Sequence, residues 1–219
     1  MSKESLGTFS VLNRKSGNWE DGVLYHGFDE RNKTDIEELW IPMLREMKTA
    51  QAGLQDIAPR LRVSDAHWLW PEKMDETVKD ALISDTFVFE CANMTQAAMI
   101  IRKGHVKYLS LSSEHRGSPL VYVDILATAP WNRANHPEYI YKGCGELMLK
   151  TAISVSIDNG YKGRIALRAL PGAESYYRGV GMIEFEEGIV EDKLKYFEVP
   201  ESLVQSIFRR SPAEQGADR

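Results

Sequence analysis

One stretch constrains the fold of this chain more than any other: Leu120–Thr128, LVYVDILAT, closed off by Pro119 and Pro130. A run rich in β-branched and aromatic side chains, between two residues that cannot donate to a ladder, reads as a buried strand. A regular pleat puts Val121, Val123, Ile125 and Ala127 on one face and Tyr122, Asp124, Leu126 and Thr128 on the other. After the connection Pro130–Ile140 the period changes. In YKGCGELML two glycines precede a helix in which Leu149, Ile153 and Ile157 fall at i, i+4 and i+8. Leu147, Met148 and Ala152 widen that stripe, and Asn159–Gly160 stops it.

The remaining elements follow from the same two periods. Ile165, Leu167 and Ala169 alternate with Arg164 and Arg168 as a strand, Ala173–Gly179 reads as a short helix, and Lys195–Val199 as a last strand. Upstream, Thr86–Cys91 and Gln96–Arg102 flank Ala92–Thr95 as a hairpin. Val106–Leu111 reads as a further strand or an irregular extension. Thr34, with Glu37 three residues on, is the expected N-cap of a helix carrying Ile36, Leu39, Trp40, Met43, Leu44 and Met47; Pro42 marks a late start or a kink. A second helix is expected from Pro71 through Val78 and Leu82. The first 33 residues or so read as loops with one short strand. The expectation is one mixed α/β domain: 1–60 an N-terminal extension and helix packed on it, 61–210 the domain, 211–219 a mobile tail.

Composition excludes more than it selects. With 219 residues and 43% hydrophobic side chains the chain can bury a sizeable core, yet no run approaches the roughly 20 apolar residues of a membrane span. The segment MSKESLGTFS lacks the apolar stretch of a secretory signal. Cys91 and Cys144 are too few for a disulfide scaffold or a zinc site, so a reducing cytoplasm is expected. A net charge of −5 argues against nucleic acid as a partner.

Chemistry concentrates at Gly143–Cys144–Gly145. A helix start offers unpaired N–H groups and partial positive charge, and glycine lets an anion approach the backbone. A Walker loop needs Gly-Lys-Ser/Thr, whereas this turn continues Gly145–Glu146–Leu147; a dinucleotide fingerprint needs a glycine where Met148 stands. Both fail on named positions.

The strand LVYVDILATAP, the glycine turn and helix, the strand GRIALRAL and the stretch AESYYRGVGM (Ala173–Met182) together resemble the GNAT superfamily of acetyltransferases, over Thr86–Val199. The last stretch is similar to the family's A-x-x-[FL]-Y-x-x-x-G-[FM] signature. Two positions depart from the family pattern: Ile140 where Gln or Arg commonly opens the turn, and Leu170 where Asn is frequent.

The resemblance implies a mixed, mostly antiparallel sheet flanked by helices and splayed at strand 120–128. It implies acetyl-CoA, or another short acyl-CoA, as co-substrate, with no metal. Backbone groups near Leu126, Ala127 and Thr128 would pair with the pantetheine amides, and one N–H there would polarise the thioester carbonyl. The amides from Tyr141 through Lys142, Gly143, Cys144 and Gly145 to Glu146 would hold the pyrophosphate, with Lys142 adding charge or lying solvated. Tyr177 matches the tyrosine that protonates the leaving thiolate, and Tyr176 takes an aromatic packing position. An alkylamine near pKa ~10.4 must lose a proton before attack, so a base is needed; Asp124, beside Tyr122, is the first candidate and Glu90 the second.

Other residues carry two readings. Cys144 at a helix start is either an acidified thiol or a small core residue. Trp68–Leu69–Trp70 and Trp131 either line the acceptor cleft, with Tyr122–Asp124 and Trp131–His136, or pack in the core. His26, His67, His105, His115 and His136 lack metal-ligand spacing. The function expected is N-acylation of a small-molecule or protein amine in a ternary complex, with no nucleic acid and no membrane involved and a homodimer left open. The alternatives are a non-enzymatic acyl-CoA-binding module and a transferase acting on charged tRNA or as a toxin.

Overall fold

In a computed structural model the described residues are 3–52, 63–104, 107–133, 136–186, 194–200 and 203–204. The expected tail at 211–219 and His105 lie outside them, as does the 60/61 boundary. Among the described residues one sheet of nine strands forms the centre. The strands are β1 (Glu4–Asn13), β2 (Trp19–His26), β3 (Ser84–Cys91), β4 (Met94–Lys103), β5 (Val121–Thr128), β6 (Tyr141–Lys142), β7 (Ile165–Ala169), β8 (Ile183–Phe185) and β9 (Lys195–Glu198). Their order is β6-β1-β2-β3-β4-β5-β7-β9-β8. Every pairing is antiparallel except β5 with β7.

The long strand does not keep a regular pleat. Ile100 pairs with Ile125 but Ile101 with Val123, so Asp124 is an extra residue, a β-bulge on β5. The side chains change face there. Val121, Val123 and partly buried Leu126 join one core cluster, while Ile125 and Ala127 join the other. The expected alternation therefore fails from Asp124 onward, because a single inserted residue flips all that follow.

The first cluster packs under α4 (Cys144–Asp158) and α5 (Glu174–Gly179) with Phe87, Phe89, Met148, Ile153 and Phe197. The second lies under the N-terminal helices, α1 (Glu30–Thr34), α2 (Ile41–Gln51) and α3 (Trp70–Lys79), around Trp40, Trp70 and Met74. The N-cap of the first helix is Asp29, not Thr34: its carboxylate accepts from Asn32 N–H while Asn32 Oδ1 accepts from Asp29 N–H, a capping box. Pro42 is tolerated because Asp35–Trp40 forms a π-helical turn, in which Ile41 N–H reaches back to Ile36 O and the proline's i−4 carbonyl is spared the usual clash. The second helix stops at Lys79; Leu82, 94% exposed, lies beyond it.

The first 33 residues hold a full hairpin rather than one short strand. β1 and β2 pair from Glu4–His26 to Leu12–Trp19 and continue the sheet through β3. Residues 92 and 93 form the β3–β4 turn with φ of 50° and 60°, the left-handed pair that two-residue hairpins use. Val106–Leu111 resolves, over its described part, into irregular chain with a single bridge, Leu109 to Pro119.

One ion cluster fastens the far end of the β2–β3–β4 ladder. His26 Nε2 lies 3.0 Å from Asp85 Oδ1, and Lys103 Nζ 2.7 Å from Asp85 Oδ2. The Asp85 hydrogen bond raises the His26 pKa above its ordinary value, outweighing burial. A raised folded-state pKa gives stability that is complete below about pH 6.5 and is lost as pH rises through the folded value. Wild type should therefore melt above His26→Gln by roughly 2 °C at about pH 5.5. The gap should close by about pH 8.5; a gap independent of pH removes this pair from the fold's pH dependence.

Candidate active site

The site is built on the one parallel pairing. β5 and β7 are in register only at Val121–Ile165, Tyr122–Ala166 and Val123–Leu167. Beyond Val123 the strands part: β5 stays with β4 as far as Ala97–Thr128, and β7 stays with β9. The β5 backbone groups of 124–128 that point away from β4 line the resulting wedge. Leu126, Ala127 and Thr128 lie along it, and Asp124 stands at its apex.

The glycine turn closes the wide end. Gly143 is at φ 110°, a conformation open to glycine, and is the N-cap of α4. The first helical bond runs from Leu147 N–H to Gly143 O at 2.9 Å, so the amides of Cys144, Gly145 and Glu146 precede the ladder. Gly143, as the N-cap, has no side chain to cap them. Glu146, an acid at this end, is matched by Lys150 at 2.9 Å. A Cβ on Gly145 would lie 3.7 Å from Thr128 Cγ2 and 3.9 Å from the Tyr176 hydroxyl. Strand end, helix start and a phenol thus meet around one gap, which glycine leaves open.

Tyr141 and Lys142 stand apart from that gap. Tyr141 N–H donates to Asn132 Oδ1 at 3.0 Å, and its hydroxyl donates to Glu20 Oε2 at 2.7 Å. Lys142, in β6, is exposed and pairs with Leu12 of β1. The turn is set by a buried polar cluster. Gln96, the bulged residue of β4, accepts at Oε1 from Trp131 Nε1 at 2.9 Å and from Asn132 Nδ2 at 2.8 Å. Its own Nε2 donates to Cys91 O at 3.0 Å.

The two tyrosines of Ala173–Met182 face different surroundings. Tyr177 is 7% exposed, lies in the α4-side core and packs on Phe197 with ring centroids 5.9 Å apart. Burial raises its pKa. Tyr176 is 41% exposed, and its hydroxyl is the one over Gly145. Desolvation of that hydroxyl, then Tyr177, Glu146 and Tyr139, raise its pKa above the ordinary phenol range, so it is protonated at neutral pH.

Asp124 projects to the helical face. Arg102, on the neighbouring strand, donates from Nη2 at 2.9 Å and Nε at 3.2 Å, both to Asp124 Oδ2. Tyr122, 4% exposed, stacks on Tyr108 at 3.9 Å, and Arg168 Nη1 donates to its hydroxyl at 3.3 Å; burial pushes its pKa up to about 12. Glu90 sits two strands from the wedge, where it pairs with Lys3 and accepts from Asn32 Nδ2 at 2.6 Å. Trp131 and Trp70 are core residues, 7% and 2% exposed, with Trp40 edge-on to Trp70 at 6.4 Å. Cys144 is buried, and burial pushes its thiol up to about 12, against the lowering a helix start would give. Among the described residues no group of three His, Cys, Asp or Glu is placed to hold a metal.

Arg102, Arg133 and the Gln96–Asn132 cluster carried no sequence signal. Arg133 makes a two-pronged pair with Asp65 at 2.8 and 2.6 Å and long contacts of 3.4 Å with Thr128 O, tying the segment before α3 to the end of β5.

No protein family's sequence profile matches the chain, and no curated protein does. Solved structures do. The arylalkylamine N-acetyltransferase 7 (putative) of the yellow fever mosquito aligns with 92% of this chain and 96% of its own, at 12% identity and a TM-score of 0.51. FeeM, an N-acyl amino acid synthase from uncultured soil microbes, aligns over 89% and 96%, at 11% identity and 0.50. The fold is that of the GNAT N-acetyltransferases. A complex of AtaT with AtaR bound to DNA also matches, over 61% of this chain and 77% of that one, at 14% identity. Its TM-score of 0.40 carries no argument about partners.

Asn132→Leu is expected to lower the free energy of unfolding by about 1–3 kcal/mol, because it strips a partner from the Tyr141 amide and from Gln96 together. Urea denaturation measures this. A variant as stable as wild type would show that the cluster does not hold the turn.

Proposed function

We propose that the protein is an acyl-CoA-dependent N-acyltransferase that moves an acetyl or short acyl group to a primary amine. One observation carries the reading: the wedge between β5 and β7 ends at Thr128, and Thr128, Tyr176 and the amides of Cys144 and Gly145, which precede the first helical bond of α4, converge around Gly145. That combination suits an extended amide-containing chain ending in a pyrophosphate. The pantetheine amides would add to the β5 edge at Leu126, Ala127 and Thr128 like a further strand. The pyrophosphate would rest on the start of α4, a helix long enough for its aligned peptides to favour an anion. Arg133's contacts with Thr128 O are long enough to yield to such a partner.

In this reading the thioester carbonyl lies at the apex of the wedge, polarised by a β5 N–H. The amine reaches it from the helical face, where Asp124 holds the ammonium and receives its proton directly or through water. Nitrogen then bonds to the acyl carbon, the carbon–sulfur bond breaks, and the thiolate takes a proton. Tyr176, rather than the core-packed Tyr177, supplies that proton, since its hydroxyl borders the cleft. The departing thiol has a pKa near ~8.5, below that of the phenol, so the transfer is completed as the second proton of the attacking nitrogen passes through water to Tyr176 and restores its hydroxyl.

The test is release of free thiol from acetyl-CoA in the presence of a panel of amines. Tyr176→Phe should reduce kcat about a hundredfold, while Tyr177→Phe should keep most of it; the opposite ranking returns the role to Tyr177. Gly145→Val should weaken acetyl-CoA binding at least tenfold by calorimetry, order of magnitude, with an unchanged circular dichroism spectrum, because a side chain then fills the gap. Binding without release by any amine would favour a non-enzymatic acyl-CoA-binding module. Absence of binding would sink both readings.

A further inference from the structure

A cavity of about 260 Å³ opens on the helical face, and Asp124 forms part of its wall. Its volume, under the usual ~300–1,000 Å³ of drug-sized sites, suits a small metabolite. Lys73, Glu76, Lys79 and Asp80 come to it from α3 and its end, and Arg102 from β4. Neither Trp131 nor His136 lines it. Three cations thus face three anions.

The charges are not used up among themselves. Both Arg102 bonds land on Asp124 Oδ2, which leaves Asp124 Oδ1 and Arg102 Nη1 without partners among the described residues. Lys73 and Lys79 make no ion pair among the described residues. An independent sign comes from Ser84. It is 4% exposed, lines the same cavity, and its hydroxyl finds no hydrogen-bond partner among the described residues. A hydroxyl that opens into the cavity offers a polar guest a donor and an acceptor.

We infer that this cavity is the acceptor site and that the acceptor is a small zwitterion, an α-amino acid or a similar amino carboxylate. The inference rests on the acyltransferase reading for its chemistry and on the cavity for its substrate class. The substrate ammonium takes Asp124 Oδ1, at the apex of the wedge where the thioester arrives. The carboxylate takes Lys73, Lys79 and Arg102 Nη1, and Ser84 donates to or accepts from the polar end it meets. Other classes fit worse. A polyamine would meet three cations, and an aryl or long alkyl amine would meet a wall in which Ile100 is the one apolar side chain among the described residues. A simple carboxylate would meet Glu76, Asp80 and Asp124.

Thiol release with matched pairs tests this: each amino acid against the amine that lacks its carboxylate, with spermidine and a lysine peptide alongside. The amino acid should show a kcat/KM at least about tenfold above its paired amine, the worth of one charge-assisted contact. In Lys73→Met/Lys79→Met that ratio should collapse toward one through a rise in KM for the amino acid, and Ser84→Ala should raise that KM as well. Equal or better turnover of the paired amines, the polyamine or the peptide overturns the inference and leaves the acyltransferase reading standing. Saturation-transfer NMR on the full chain separates the two failures. Amino acid binding that is lost in the double lysine variant supports the inference even where no thiol is released, and no binding at millimolar concentration overturns it.

Discussion

The site depends on a pairing that ends early. β5 and β7 share three registered positions and then separate, and the bulge at Asp124 falls where they do. A parallel ladder leaves no free backbone groups, so a continuous pairing would offer an extended ligand nothing to add to. Ending it at Val123 exposes one edge of a central, buried strand without exposing a sheet edge to solvent. The bulge supplies the second half of the arrangement. With it, Asp124 and Ile125 both face the N-terminal helices while Val123 and Leu126 both face α4. Apolar packing continues on both sides of the apex, and a carboxylate still reaches the helical face.

Holding the wedge open is the task of buried polar groups rather than of apolar packing. The chain must travel from β5 to the start of α4 without covering the gap above Gly145. The Pro130–Asn132 turn is pinned to Gln96 through Trp131 and Asn132, and Asn132 in turn fixes the Tyr141 amide. Tyr141 then anchors on Glu20 of β2, and Ile140 O accepts from Arg14 N–H at 2.8 Å. Each partner sits in a low-dielectric interior, where a satisfied network is stiff and an unsatisfied one is costly. Ile140 belongs to this scheme: it is half-buried between the two cores. An apolar residue there serves packing, and the proposed anion site would rest on backbone amides alone.

The elements that sequence made legible are those whose pattern is local. The strand 120–128, the helix after Gly145 and the hairpin around Ala92–Asn93 are set by composition and period within single segments. β1 was illegible for the converse reason: most of its side chains are exposed, so it carries no apolar alternation, and its place in the sheet comes from β2 and β6. The bulge is a property of register between β4 and β5, and no reading of β5 alone contains it. The same holds for Arg102 and Asp124, 22 residues apart in sequence and bonded across the ladder. Neighbouring tyrosines in a six-residue helix also cannot be told apart by period, since too few turns exist to define a face.

The proposed function pairs an acidic chain with an anionic co-substrate, and the placement of charge makes the two compatible. With a net charge of −5, long-range attraction does not bring phosphate to this protein. The start of α4 needs none. In the proposed function the amides of Cys144 and Gly145 act over hydrogen-bonding distance, where a fixed dipole outweighs a screened surface field. Glu146, which would oppose an anion there, is offset by Lys150 one turn on. On the helical face the logic is reversed. Discrete side-chain charges of both signs face each other across a small cavity, so orientation there is read from where each charge sits. In the proposed function a backbone site tolerant of any matching anion and a side-chain site selective for one charge pattern would meet at Asp124. That division would put the choice of acceptor in α3 and Arg102, apart from the backbone groups of β5 and α4.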